Sequence, residues 1–190
     1  MQIFLYGCAN LPQFVITKDV LTAEEHTNLG VAYESKGELD LAVKEYKKAV
    51  EKYSGYAIAY FNLGNIYLEK GLYDEAEEYY LSAIEKSPSN AIFYNNLAWL
   101  YIYGKYDLEK AERYAGDALK LDPSKKHIYL DTLGVIYTYQ KEFKKAEEIL
   151  MDALKSAPNG DASSLDHIYK HLSDVYDKIG DRENYLIQTQ

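Results

Sequence analysis

Cysteine is nearly missing from this chain of 190 residues: Cys8 stands alone, so no internal disulfide forms and a cross-linked secreted scaffold is excluded. Proline and glycine are scarce too, at 4 and 11 residues, which excludes collagen-like and linker-like composition. Basic charge is short as well. Lys and Arg number 21 against 30 Asp and Glu, a formal net charge of −9, and a nucleic-acid backbone is a poor ligand for such a field. No apolar run approaches the roughly 18 to 20 residues of a membrane span. What remains is 47% hydrophobic and 27% charged, the composition of a folded domain rather than a disordered one.

The unusual abundance is tyrosine, 21 residues, and its placement is periodic. A leucine followed by a small residue recurs at Leu29-Gly30, Leu63-Gly64, Leu97-Ala98, Leu133-Gly134 and Leu172-Ser173, and four residues after each leucine stands Tyr33, Tyr67, Tyr101, Tyr137 or Tyr176. A spacing of four puts both large side chains on one helical face. Nine or ten residues past the first four tyrosines come Ala42, Ala76, Ala111 and Ala146, then Ala49, Ala83, Ala118 and Ala153 seven further on. These pairs form a small-residue stripe on a second helix. Five residues later the chain reads Ser54, Pro88, Pro123 and Pro158, and proline cannot extend a helix. The unit is therefore two antiparallel helices. The pattern predicts helices near 22–35, 39–52, 56–69, 73–86, 90–103, 107–120, 127–139, 143–155 and 164–179, with turns at Lys36-Gly37, Lys70-Gly71, Tyr103-Gly104 and a stop at Ile179-Gly180.

Residues 63–88, with L-G-N-I-Y, Y-D-E-A-E-E-Y-Y-L-S-A and S-P, resemble the tetratricopeptide repeat. The resemblance extends over about 23–180, as units near 23–56, 57–90, 91–126 and 127–160 with a partial one at 166–190. It implies an all-α fold, a right-handed superhelical solenoid of antiparallel helix pairs, in which first helices line a concave groove and repeats contact mainly their neighbours. The third unit departs from the pattern: it has Ala98 and Ala115 where glycine and a large apolar residue are usual, and one extra residue between Tyr101 and Ala111. An altered turn is expected there. The domain division that follows is an apolar extension or cap at 1–21 and the solenoid at 22–190.

Asn28, Asn62 and Asn96 each precede an anchor leucine. Asparagine disfavours a helix interior by about half a kcal/mol relative to alanine, so three in register call for a reason. A carboxamide donates and accepts, which suits it to an extended peptide backbone, and the resemblance implies such an asparagine ladder in some members. Duplication, with the amides bonded to neighbouring helices or water, is the competing explanation. Asn65, Asn95, Phe61 and Trp99 surround the ladder, and Tyr103 and Tyr139 extend that surface; rings interleaved with amides suit a peptide site. The family's clamp for a chaperone carboxylate begins with a lysine two residues before the anchor leucine. This chain has Thr27, Phe61 and Asn95 there, so that ligand is not expected.

Chemistry-bearing motifs are sparse. His167 and His171 lie four apart on a helix, with Asp174 three further on, but no glutamate follows His167 as in a zinc-protease helix, and solvated histidines are the expectation. Glu75, Glu77, Glu78, Glu147 and Glu148 are expected to keep the outer helices wet. Thr22 is placed to cap the first helix over Glu25. Ahead of it, residues 1–21 carry Ile3, Phe4, Leu5 and Tyr6, and Leu5-Tyr6-Gly7-Cys8 resembles the end of a lipoprotein signal without its basic start or full apolar run.

The expected function is a non-enzymatic scaffold or adaptor, without cofactor or metal, that binds a partner's peptide segment in the groove through Asn28, Phe61, Asn62, Asn65, Asn95, Asn96 and Trp99. The acidic field favours a neutral, apolar or basic protein or peptide partner, and the cytoplasm is the expected location. Two alternatives remain open. One is a self-assembling or envelope-anchored scaffold, with residues 1–21 supplying self-association or Cys8 a lipid anchor; the other is a regulatory module of a larger enzyme such as a sugar transferase.

Overall fold

The computed structural model describes residues 19–180; the readings of an apolar cap, a lipid anchor at Cys8 and the final residues of the partial repeat lie mostly or wholly outside the described residues. Among those residues nine α-helices follow one another: α1 Ala23–Glu34, α2 Leu39–Lys52, α3 Ala57–Glu69, α4 Tyr73–Lys86, α5 Ala91–Tyr103, α6 Leu108–Leu121, α7 Lys126–Tyr139, α8 Phe143–Ser156 and α9 Ala162–Ile179. The expected boundaries hold to within two residues. Thr22 and Glu25 form the expected reciprocal cap, the Thr22 hydroxyl accepting from Glu25 N at 3.2 Å while the glutamate accepts from Thr22 N at 2.8 Å. A turn of 3-10 helix at Pro123–Lys125 precedes α7 and takes up one residue of the longer spacing between Leu97 and Leu133.

The helices pair as α1/α2, α3/α4, α5/α6 and α7/α8, and α9 closes the stack on α7 and α8. Inside each pair one close approach sets the packing. A Cβ on Gly30 would stand 2.4 Å from the Tyr46 ring, and one on Gly64 would stand 2.6 Å from the Tyr80 ring. Gly134 meets Leu150 in the same way. The third pair reverses the sizes, with Ala98 and Ala115 both fully buried in the main core. A larger residue on the first helix is offset by a smaller one on the second, so the core stays filled.

Between pairs, a tyrosine latch recurs. Tyr101 donates to Glu77, Tyr137 to Glu112 at 2.8 Å and Tyr176 to Glu147 at 2.9 Å. Each acceptor directly follows the first alanine of the preceding second helix. Glu77 and Glu147 are therefore half-buried acceptors, not members of a wet outer face; Glu75, Glu78 and Glu148 are exposed as expected. Burial alone would raise the Glu77 carboxyl, but bonds from Tyr101 and Lys105 outweigh it and hold the group below its ordinary value. Tyr137→Phe is expected to cost about 1.5 kcal/mol, since a bond to a charged acceptor is lost. Urea denaturation checks it, and an unchanged midpoint would contradict the latch.

The expected turn glycine of the third unit is displaced. Gly104 has φ −89° and instead leaves room for the Tyr73 ring, which a Cβ would approach to 2.6 Å. The left-handed residue is Tyr106, at φ +52°. It stands immediately before the second helix's cap, where the first two units place Gly37 and Gly71, both at positive φ. Only glycine takes that conformation freely; for a tyrosine it costs roughly 1 kcal/mol.

Candidate peptide-binding groove

First helices touch one another along the stack, α1 with α3, α5 with α7 and α7 with α9, whereas second helices make no comparable contact with each other. The stack therefore curves with α1, α3, α5, α7 and α9 on its inner side. The middle inner helix, α5, carries no charged residue in the run AIFYNNLAWLYIY. Its rings do not all sink into the core.

Two adjoining clefts open where α5, α7 and α9 meet. One, of about 420 Å³, is bounded by Trp99, Ile128, Asp131, Thr132, Lys170 and His171, with His167 at its edge. The other, of about 250 Å³, lies between Tyr103, Val135, Thr138, Tyr139, His171 and Asp174, and shares Lys170 with the first. His171 Nδ1 is 2.7 Å from Asp131 Oδ1, which joins α9 to α7 and fixes the imidazole on the wall. Among the described residues no three His, Cys, Asp or Glu side chains gather as a metal set. Burial first, and then the neighbouring Tyr139, Asp174 and Asp131, push the Tyr103 phenol up to about 12.

Rings run continuously along this surface. Trp99 stacks on Tyr103 at 5.5 Å between centroids, Tyr103 meets Tyr139 edge-on at 5.9 Å, and Tyr139 meets Tyr106 edge-on at 6.2 Å. His171 lies 6.3 Å from Trp99 at the other end. Tyr103 and Tyr106 remain 57% and 67% exposed, so both rings stay within reach of a ligand, Tyr103 on the side away from Trp99.

The asparagines divide. Asn28 is exposed on α1, and Asn62 is half-buried, directed at the Tyr46 hydroxyl. Asn65 Oδ1 accepts from Tyr80 at 2.7 Å and from Asn96 Nδ2 at 3.2 Å, which ties α3 to α4 and α5. Half of each of those two amides is thus spent inside the protein, while Asn65 Nδ2 and Asn96 Oδ1 stand outside the bond. Asn95 is only 6% exposed, and its Oδ1 has no hydrogen-bond partner among the described residues. Phe61 stacks on Phe93 at 4.8 Å and tilts against Tyr80 at 5.9 Å, so its ring packs between repeats. Trp99 is the member of the expected set that borders a cleft.

Three profiles described as tetratricopeptide repeat match residues 27–91, 79–113 and 129–159. The chain belongs to the tetratricopeptide repeat family. No curated protein matches it by sequence. Among solved structures it is similar to TTC0263, a thermophilic tetratricopeptide protein of Thermus thermophilus, at 24% identity with 87% of each chain covered and a TM-score of 0.71. BtubC of P. vanneervenii is 23% identical, with 86% of this chain and 75% of that one covered and a TM-score of 0.73. YrrB, described as a tetratricopeptide protein with an unusual peptide-binding site, is 22% identical, covered over 86% and 81%, with a TM-score of 0.61. These likenesses establish the right-handed tetratricopeptide solenoid as the fold. Among the described residues no helix is long and apolar enough to cross a membrane.

The inner helices also carry exposed apolar residues that the asparagine pattern passes over. Ile58, Ile92 and Ile128 are exposed, each five residues before an anchor leucine, on α3, α5 and α7. Their spacings of 34 and 36 follow the anchor leucines Leu63, Leu97 and Leu133, so their register is available in the sequence. Asp131 and His171 meet across 40 residues, a separation with no local signal.

Proposed function

We propose that this tetratricopeptide solenoid is a non-catalytic scaffold that holds an extended segment of a partner protein along its inner helices. The observation that carries the reading is the uncharged inner helix α5, whose Trp99 and Tyr103 border the clefts shared with α7 and α9. Open apolar side chains at Ile92 and Ile128, with amides on α3 and α5, offer the mixture of apolar contact and orienting polar groups that peptide sites use. The peptide-binding site described for YrrB, on a similar fold, is consistent with this role.

Asn62→Ala combined with Asn96→Ala is expected to weaken partner capture about tenfold or more with helicity unchanged, measured by pull-down and circular dichroism. A double variant that retains every partner would contradict the ladder's role in binding. Asn95→Ala separates binding from folding more sharply. It is expected to raise stability by about 1 kcal/mol, because the orphaned acceptor and the poor helix former both go, while weakening capture. Lower stability with unchanged capture would show that Asn95 serves the fold alone.

A further inference from the structure

The line of rings from Trp99 to Tyr106 calls for a more specific ligand than an arbitrary chain. Tyr106 takes the positive-φ turn position that is Gly37 and Gly71 in the first two units and Lys141 in the fourth, and its ring is 67% exposed there. Flat, exposed faces in a row suit proline, whose pyrrolidine rings in a polyproline helix are already ordered and stack on aromatics with little further loss of freedom. The helices that form the row, α5, α7 and α9, carry four Asp against three Lys, so a cation there is drawn by the single half-exposed carboxylate of Asp174 rather than by a broad acidic field. At the clefts Asp131 is engaged by His171, Asp174 is held by the exposed Lys178, and Lys170 stands on the shared wall. A guanidinium that displaces Lys178 from Asp174 would lie beside Tyr103, where cation–π attraction and the carboxylate act together.

We propose that the ring row Trp99, Tyr103, Tyr139 and Tyr106 binds a proline-rich segment carrying a basic residue, which Asp174 receives. This rests on the peptide-groove reading and narrows it to one chemistry. Prolines lie along the rings, and the arginine enters the smaller cleft.

Trp99 is the chain's single tryptophan and sits in the row, so its fluorescence reports occupancy directly. The full chain is titrated with a synthetic peptide of eight prolines and one arginine, with the same peptide carrying glutamate for arginine, with a Gly-Ser peptide carrying arginine, and with cellohexaose. The proline–arginine peptide is expected to shift Trp99 emission saturably. Exchange of arginine for glutamate should weaken binding about fivefold or more, and the Gly-Ser peptide should give no saturable shift. Tyr103→Ala, at an exposed ring, should weaken the peptide about tenfold. Tyr106→Gly should weaken it too, yet raise the thermal midpoint, and Asp174→Asn should erase the preference for arginine over glutamate. No response to the proline–arginine peptide at millimolar concentration overturns the proposal. So does an equal or stronger response to the glutamate peptide, or a response to cellohexaose alone, which would assign the rings to a sugar. If the peptide fails while wild-type protein, but not the Asn62/Asn96 double variant, still captures a partner segment, the chemistry proposed here is wrong and the groove reading survives. If both fail, the groove reading falls with it.

Discussion

Replacing Gly64 with valine is expected to destabilise the solenoid by about 3 kcal/mol, because an added Cβ would stand 2.6 Å and 2.7 Å from two ring carbons of Tyr80. The obstruction is not the far end of a flexible side chain. Tyr80 is fully buried, its hydroxyl is bonded to Asn65, and its ring is flanked by Phe61, so it has nowhere to move. Urea denaturation gives the change. A glycine-to-alanine substitution elsewhere in a helix ordinarily stabilises, by about 1 kcal/mol, and Gly116 in α6, where a Cβ would meet nothing within 4 Å, supplies that control. The two effects should have opposite signs. In a Tyr80→Ala background the cost of Gly64→Val should largely disappear, as expected of residues in direct contact. Additive costs would show that the glycine is not there to admit the ring.

The second large effect is expected from Glu45. His26 is wholly buried between two carboxylates, with Nδ1 2.7 Å from Glu45 and Nε2 2.9 Å from Asp19. The imidazole thus joins α2 to the segment ahead of α1, one ring nitrogen facing each carboxylate. Glu45 also accepts from Lys48 at 2.8 Å, and Lys52 reaches Asp19 from the same helix. Glu45→Leu leaves the buried His26 Nδ1 without its partner and is expected to cost about 1–3 kcal/mol. The pH dependence has a definite sign. Burial alone would raise the Glu45 carboxyl, but bonds from Lys48 and His26 outweigh it and hold it below its ordinary value. A depressed acid contributes its stability fully above the unfolded-state pKa, near about 4.3, and loses it as pH falls through the lower folded value. Wild-type protein should therefore weaken from about pH 5 downward, and the Glu45→Leu variant should show a shallower slope. An equal slope in both would remove Glu45 from the account.

Much of this fold is legible in the sequence because a repeat presents the same signal several times. Five Leu–Tyr pairs and four alanine stripes place nine helices within two residues of their positions among the described residues. What the sequence does not display depends on contacts between helices. The latch from Tyr101, Tyr137 and Tyr176 to Glu77, Glu112 and Glu147 crosses from one repeat to the previous one. Along a single helix those glutamates look like ordinary solvated residues. Glycine is the usual choice for a left-handed turn residue, which points to Gly104, yet Tyr106 holds that conformation. At the groove, the ladder positions are visible but their commitments are not: Asn65 and Asn96 bond each other, Phe61 packs between repeats, and Trp99 opens onto a cleft completed by α7 and α9. Periodicity gives the face of a helix, whereas the neighbour facing it is a matter of tertiary packing.

Whether a partner lies along the inner helices can be read by placing a photo-crosslinking residue at Ile92, exposed on α5, and separately at Leu81, exposed on the outer helix α4, then sequencing the adducts formed in cells. Adducts from position 92 to one extended, proline-bearing stretch of one protein, with none from position 81, are the predicted result. Adducts from position 81 alone, or equal labelling of unrelated proteins from both, would contradict an occupied groove.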